Sequence, residues 1–112
     1  MQQTELLDLI EKAAVELKAE NFRTYDVSRF SSITDAYVIC TGTSYIHIDA
    51  ICRLICEKLK EAKIEYAIDG AKGNKWIALD VGKVIIHILS REERAHYNLE
   101  ELWTKAKVVY HQ

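Results

Sequence analysis

The sequence contains no proline among its 112 residues, no low-complexity tract and no linker-like segment. These absences predict a single domain spanning residues 1–112, a length that suits one hydrophobic core. No apolar run approaches the roughly 18–20 residues of a membrane helix. The N-terminal residues also lack the basic start and apolar block of a signal peptide. Since 49% of the residues are apolar, burial can drive folding, and we expect a soluble, cytoplasmic protein.

Cysteine is scarce, and its three positions do not form a framework. Cys40 lies in an apolar run, while Cys52 and Cys56 lie four residues apart in a helical pattern. An odd count argues against a secreted disulfide scaffold, and free cysteines are usually buried. The C-x-x-C and H-x-x-x-H spacings typical of metal sites are absent. We therefore predict buried free thiols, no metal site and no cofactor.

An excess of positive charge is also missing. The net charge is −2 and the pI is near 6.1, and Lys and Arg are interspersed with Glu and Asp. A protein that grips nucleic acid through its phosphates usually carries a basic face. We therefore expect little direct nucleic-acid contact.

Hydrophobic periodicity predicts α/β architecture, with a single mixed β-sheet of about five strands flanked by helices. Ser44 is a suitable N-cap for the second helix. The strand–helix–strand order on either side of that helix predicts a right-handed parallel crossover. Ser90 and Asn98 each begin a short predicted helix in the tail. The other predicted elements are a helix over 4–20 and strands over 22–27, 36–41 and 64–68, with the second helix reaching about residue 62.

The segment KWIALDVGKVIIHIL predicts a β-hairpin whose loop is Val81-Gly82. This loop would pair Asp80 with Lys83 and Trp76 with His87. Alternation then gives two faces. The aliphatic face has Ile77, Leu79, Val84, Ile86 and Ile88, and the mixed face has Trp76, Ala78, Asp80, Lys83, Ile85 and His87.

Two interpretations of the mixed face remain open. A helix of the same domain could cover part of it, or it could be a docking patch. Aromatic residues are enriched at interface hot spots, so Trp76 would be the anchor of such a patch.

The turn Gly42-Thr43-Ser44 between a strand and a helix suggests a phosphate-binding loop. The Walker and Rossmann motifs are both absent. Metal-dependent nucleotidyl transfer, the alternative function, needs paired carboxylates on neighbouring strands, such as D-x-D. No strand-associated acid has an acidic mate two residues away; these acids are Asp26, Asp35, Glu65, Asp69 and Asp80. The residues therefore favour a binding module without catalytic residues.

Three blocks of the chain together resemble the ribosomal silencing factor family (RsfS, the Iojap-like proteins). They are DVSRFSSITDAYVICTGTSYIHIDAI, IDGAKGNKWIALDVGKVIIHIL and ERAHYNLEELW. The resemblance implies a mixed α/β fold akin to nucleotidyltransferases but without their catalytic acids. It also implies binding of the large ribosomal subunit through its protein L-fourteen. Bound there, the protein would block joining of the two subunits and repress translation under nutrient limitation.

The resemblance also implies which residues contact the partner. Matching positions in the first two blocks include Asp26, Ser32, Thr34, Asp35, Gly42, Thr43, Ser44, His47, Gly70 and Gly82. The predicted contacts are Trp76, Asp80, His87, Asp69, Tyr97 and Glu100. Asp69-Gly70-Ala71 departs from the Glu-Gly-Glu common in the family, which leaves less negative charge there. A homodimer of the free protein, formed through exposed apolar surface, stays open.

Overall fold

The computed structural model describes residues 2–29, 32, 34–70, 75–97 and, for the backbone alone, 107–111. The described helices are α1 (Gln3–Glu16), α2 (Tyr45–Glu61) and α3 (Arg91–Tyr97). The described strands are β1 (Glu20–Asp26), β2 (Ala36–Thr41), β3 (Ala67–Asp69), β4 (Trp76–Asp80), β5 (Val84–Leu89) and β6 (Lys107–His111).

The strands form one mixed sheet in the order β3-β4-β5-β2-β1-β6. Strands β2 and β5 pair in parallel, whereas the other neighbours pair antiparallel. This confirms the predicted fold class, with five strands close to their predicted places. The sixth, β6, lies beside β1 in a segment where no strand was predicted, although Val108, Val109 and Tyr110 favour extended structure. The second predicted tail helix lies outside the described residues.

Helices α1 and α2 pack against each other and against one face of the sheet. The core there is aliphatic, with side chains such as Ile10 of α1, Ile55 of α2 and Ile86 of β5 that have no exposed surface. Helix α1 ends at Glu16, four residues earlier than predicted. Lys18 takes a left-handed φ of 58°, which turns the chain into β1 and ends the helical hydrogen bonding.

Helix α2 follows the prediction closely. The Ser44 side chain accepts a hydrogen bond from the His47 N–H at 3.1 Å and caps the first turn. The buried positions of the helix include Ile48, Ile51, Cys52, Ile55 and Leu59, as its periodicity predicted. Cys40, Cys52 and Cys56 are all free and buried, which confirms the prediction for the thiols.

The crossover from β2 through α2 leads to β3, which is later and shorter than the predicted strand. Strand β3 lies at the edge of the sheet, with β4 and β5 between it and β2. Two antiparallel steps separate it from β5, so β3 runs in the same direction as β2. The parallel direction of this crossover is therefore confirmed.

The predicted pairing within the hairpin is wrong by two residues. Trp76 faces Leu89 and Asp80 faces Ile85, and the Val81 N–H donates to the Val84 carbonyl at 2.9 Å. The turn therefore contains Gly82 and Lys83. Gly82 has a φ of 77°, which glycine adopts without steric cost. A shift of two residues keeps each strand side chain on its face, so the predicted separation into aliphatic and mixed faces is confirmed, except that Lys83 lies in the turn.

Gly42 lies where β2 passes into α2, and its missing side chain lets the two elements approach. A Cβ atom there would lie 2.6 Å from Ile48 Cγ1 and 3.0 Å from the Ile48 backbone nitrogen. Packing between the strand and the helix therefore requires glycine here, independent of any phosphate.

We expect Gly42→Ala to lower the free energy of unfolding by about 1–3 kcal/mol, because the added methyl group overpacks the contact. Urea denaturation measures this loss. The control is Gly42→Ala combined with Ile48→Ala, which removes the Cγ1 atom. The double variant should lose less than the sum of the single losses, and strict additivity would contradict the contact.

Candidate functional site

The sheet face opposite α1 and α2 carries aromatic side chains together with a few aliphatic ones. We call Tyr25, Tyr37, Trp76 and His87 together the aromatic face. Tyr37 and Trp76 are half-buried and pack against a small cluster, separate from the main core, that contains Tyr25, Val27, Ile39 and Leu89. Sheet alternation explains this separation, since neighbouring residues of β2 and β5 point to opposite faces.

His87 is held between two aromatic rings. The Trp76 indole N–H donates a hydrogen bond to His87 Nδ1 at 3.1 Å, and the two rings meet edge to face at 5.8 Å. The Tyr37 ring stacks on the other side, also at 5.8 Å between centroids. Aromatic pairs in such arrangements each add about 0.5–1.5 kcal/mol beyond their buried area. The three side chains therefore form one connected unit, joined by a hydrogen bond and two ring contacts.

The environment of His87 favours its neutral form. Burial lowers the pKa of His87 from 6.5 to about 4. Because Nδ1 accepts the indole hydrogen bond, the single proton of the neutral ring lies on Nε2. At neutral pH this part of the surface is aromatic and uncharged.

A shallow depression of about 360 Å³ opens beside this unit. Its lining brings together three of the predicted contact residues, Asp69, Trp76 and His87, along with Gly70 and Ala78. Gly70 has a φ of 120°, and a Cβ atom there would lie 2.9 Å from the Trp76 carbonyl oxygen. Glycine thus allows the end of β3 to approach the start of β4 and places Asp69 at the rim.

The other predicted contacts are not brought into this depression. Asp80 lies at the far end of β4, where its Oδ1 accepts the Gly82 N–H at 3.0 Å and stabilises the hairpin turn. Tyr97 is the last residue of α3, and its side chain is not described. Glu100 lies outside the described residues.

Several positions that match the family pattern serve the fold. The Thr34 hydroxyl donates to the Lys83 carbonyl at 2.6 Å and so holds the hairpin turn against the start of β2. His47 Nδ1 accepts the Thr43 N–H at 2.9 Å, while Nε2 lies 2.6 Å from the Leu17 carbonyl oxygen. His47 therefore joins the end of α1 to the turn before α2.

Sequence reasoning missed Tyr37. The segment AYVICT is apolar almost throughout, so no alternation of polar and apolar residues separates its two faces. Alternation alone would have placed Tyr37 and Ile39 on one face and Val38 and Cys40 on the other. Since β2 is the parallel neighbour of β5, that comparison would have placed Tyr37 beside the strand that carries His87.

The turn at residues 42–44 borders a second depression, of about 390 Å³. Within the turn, the Gly42 N–H donates to the Leu89 carbonyl and the Thr43 N–H donates to His47 Nδ1. The Ser44 hydroxyl accepts the His47 N–H. Arg91, at its edge, forms a two-pronged ion pair with Glu20 that lowers the pKa of that carboxyl group. Among the described side chains, no group of three His, Cys, Asp or Glu residues is placed to hold a metal ion.

No helix within the described ranges is both long enough and apolar enough to cross a membrane.

Comparison with known proteins identifies a matching family model and several relatives of this chain. The model of the family "Ribosomal silencing factor during starvation" matches residues 1–112. The "Ribosomal silencing factor RsfS" of Halalkalibacterium halodurans is 34% identical over 97% of this chain and 94% of that protein. The mouse "Mitochondrial assembly of ribosomal large subunit protein 1" is 35% identical over 63% of this chain and 33% of its own length.

A solved structure shows the same fold. The crystal structure of a Chromobacterium violaceum protein superposes with a TM-score of 0.89 at 27% identity, covering 93% of this chain and 88% of that one. The relation to nucleotidyltransferases that the sequence resemblance implies stays a prediction.

The neutral state of His87 predicts a pH-dependent stability. Between pH 6.5 and about 4 the unfolded chain binds a proton at this position and the folded chain does not, so unfolding is favoured as pH falls. The stabilisation of the fold that comes from the neutral His87 ring is fully present above pH 6.5 and is lost by about pH 4.

The matched variant for this test is His87→Asn, whose amide oxygen can accept the Trp76 indole hydrogen bond but does not titrate in this range. Urea denaturation at each pH should show a smaller loss for the variant than for the parent over this window. Parallel losses in the two proteins would show that the neutral imidazole is not the source.

Proposed function

Because the chain belongs to the ribosomal silencing factor family, we propose that it binds the large ribosomal subunit through protein L-fourteen and thereby blocks joining of the small subunit. The family role is ribosomal silencing. On this proposal the protein represses translation under nutrient limitation and acts in the cytoplasm, where bacterial ribosomes work. Steric exclusion needs a rigid surface rather than a reaction, so we infer that the protein acts without turnover.

The observation that carries this proposal is the unit of Tyr37, His87 and Trp76. A large, half-buried indole fixed by a hydrogen bond loses little side-chain entropy when a partner covers it. Interface hot spots are enriched in such tryptophans, set in well-packed surroundings. The depression beside Trp76 offers a place for an apolar side chain of the partner.

Charge at the rim suggests the character of the partner. Asp69 lines the depression. Asp80 lies exposed at the end of β4, the strand that begins with Trp76. Basic side chains of a ribosomal protein would complement both carboxylates and would mainly increase the association rate. The family's usual Glu-Gly-Glu has a second acid that this chain lacks, so there is less negative charge beside Asp69. We therefore expect Asp69 to contribute less to binding than Trp76.

The name of the mouse relative also supports a large-subunit partner, since that protein is named for assembly of the ribosomal large subunit. A surface of about 800 Å² per partner is enough for a stable complex, and a protein of this size can present it. We propose that contact is made mainly with ribosomal protein, with little contact to ribosomal RNA, because the net charge is −2. The free protein could use the same surface to form a homodimer, and sedimentation measures that state.

Trp76→Ala tests the surface. We expect affinity for large subunits to fall at least about thirty-fold, the effect of a hot-spot residue worth 2 kcal/mol or more. Co-sedimentation with purified large subunits gives the dissociation constant, and circular dichroism checks folding.

Val15→Ala is the matched control, since Val15 is an exposed apolar residue, 43% accessible, on helix α1 at the opposite face of the sheet. It should bind like the parent. Unchanged binding by a folded Trp76→Ala variant would show that the aromatic face is the wrong surface.

The absence of turnover has its own test. Titration of the protein with ATP or GTP in the presence of magnesium should give no saturable heat by calorimetry, because the Gly42 and Thr43 N–H groups, which a phosphate would need, are hydrogen-bonded within the fold. Tight, magnesium-dependent heat would instead support the nucleotidyltransferase alternative.

A further inference from the structure

Strand β3 lies at one edge of the sheet, beside the depression. Among the described strands it pairs with β4 alone, and its three residues, Ala67, Ile68 and Asp69, are all exposed. An edge strand presents unpaired backbone N–H and C=O groups, which can pair with a further strand. This edge is continuous with the candidate site, because Asp69 also lines the depression.

The hydrogen bonds between β4 and β5 show which backbone groups of β4 point towards β3. The Val81 N–H donates to the Val84 carbonyl, and the Ser90 N–H donates to the Lys75 carbonyl. In an antiparallel pair, residues that exchange hydrogen bonds alternate with residues that do not. Odd-numbered positions along β4 therefore bond towards β5, and even-numbered positions bond towards β3.

The same alternation identifies the free backbone groups of β3. Ala67 faces Asp80 in the register of β3 with β4. Asp69 faces Ala78. Both partners are even-numbered, so the backbone groups of Ala67 and Asp69 bond to β4. The N–H and C=O groups of Ile68, which lies between them, therefore point away from the sheet.

The two sides of this edge differ in chemistry. Ile68 is 50% accessible and lies on the same side of the sheet as Leu79, its neighbour in β4. Ala67 and Asp69 lie on the other side, where the depression opens. The charged residues of β3 and β4 are Asp69 and Asp80, and both are acidic. The edge thus offers an apolar contact on one side and negative charge on the other.

We propose that β3 is a strand-addition site, where an extended basic segment of the partner protein adds to the sheet beside the aromatic face. The strand addition rests on the function proposed above, since one partner would cover Trp76 and pair with β3. The N–H and C=O groups of Ile68 bond to the backbone of the segment, and an apolar side chain of the segment covers Ile68. The residues on either side of that apolar one point to the opposite side, where basic side chains meet Asp69.

A second copy of this chain fits the edge less well. Pairing of two β3 strands about Ile68 would continue the sheet and place Asp69 and Asp80 of both copies on the same side of it. Four carboxylates would then lie close together, and like charges on neighbouring strands are destabilising. A basic segment brings the opposite charge to the same positions, so charge complementarity favours a different protein as the occupant.

Ile68→Pro tests the edge in the full-length chain, with purified large subunits as the probe. Proline removes the outward N–H but leaves the bonds between β3 and β4 in place, as it does on natural edge strands. The matched control is Ile68→Ala, which removes the side chain and keeps the N–H. We expect Ile68→Pro to bind about ten-fold more weakly than Ile68→Ala in co-sedimentation, because a carbonyl of the partner loses its donor. Circular dichroism checks that both variants fold.

Hydrogen exchange of the parent protein gives a second measurement that does not depend on proline being tolerated. On saturation with large subunits, peptides that cover residues 66–70 should gain one protected amide, that of Ile68. Peptides that contain Val15, on the opposite side of the sheet, should exchange as in the free protein.

The basic character of the segment has its own pair of variants. Asp69→Lys reverses the charge, and Asp69→Asn only removes it. We expect Asp69→Lys to bind large subunits about ten-fold more weakly than Asp69→Asn, because like charges would then face each other across the interface. Equal binding by the two variants would show that the segment is not basic.

The strand addition and the proposed function fail in different ways. Equal affinity of folded Ile68→Pro and Ile68→Ala would overturn the strand addition alone, provided that Trp76→Ala still weakens binding. Unchanged exchange of the Ile68 amide in the complex would have the same meaning. Failure of the parent protein to bind large subunits would overturn both.

Discussion

The parallel pairing of β2 with β5 is the constraint on which the rest of the structure depends. These two strands form the centre of the sheet, and their register sets Val38 beside Ile86 and Ile39 beside His87. A slip of one residue would exchange the faces, turning the aliphatic side chains away from the helices. The register is therefore fixed by the cost of exposing one set of residues and burying the other.

Two different surfaces follow from this one register. On one side, fully buried aliphatic residues give α1 and α2 a well-packed support. On the other side, Tyr37 from β2 and Trp76 from β4 hold His87 of β5 between them. The unit thus takes one side chain from each of three adjacent strands, and one of these strands, β2, lies outside the hairpin. The rigidity of the proposed docking surface comes from the sheet beneath it.

Local pattern was enough to predict most elements. The periodicity of α2, its Ser44 cap and the alternation of the hairpin follow from nearest neighbours along the chain, and all three were predicted correctly. The hairpin register was wrong because Val81-Gly82 and Gly82-Lys83 both place Gly82 in a two-residue turn. The choice between them depends on contacts such as Thr34 with Lys83, 49 residues apart. The early end of α1 likewise depends on Lys18 adopting a left-handed conformation, which no local signal favoured.

Only part of the candidate site was predicted, because local pattern does not show which strands are neighbours in the sheet. Trp76 and His87 were correctly placed together on one face, because both lie on the hairpin. The contribution of Tyr37 requires knowing that β2 is the neighbour of β5, which is a long-range property. The hydrogen bond from the Gly82 N–H to the exposed Asp80 carboxylate depends on the position of the turn, which local pattern left ambiguous.

The central claim is that the folded protein, bound to the large subunit, keeps the two ribosomal subunits apart. Light scattering during mixing of purified small and large subunits measures joining directly. With large subunits first saturated by the protein, the account predicts that the scattering increase falls in proportion to the bound fraction, with or without nucleotide. Normal joining in the presence of excess folded protein would contradict it.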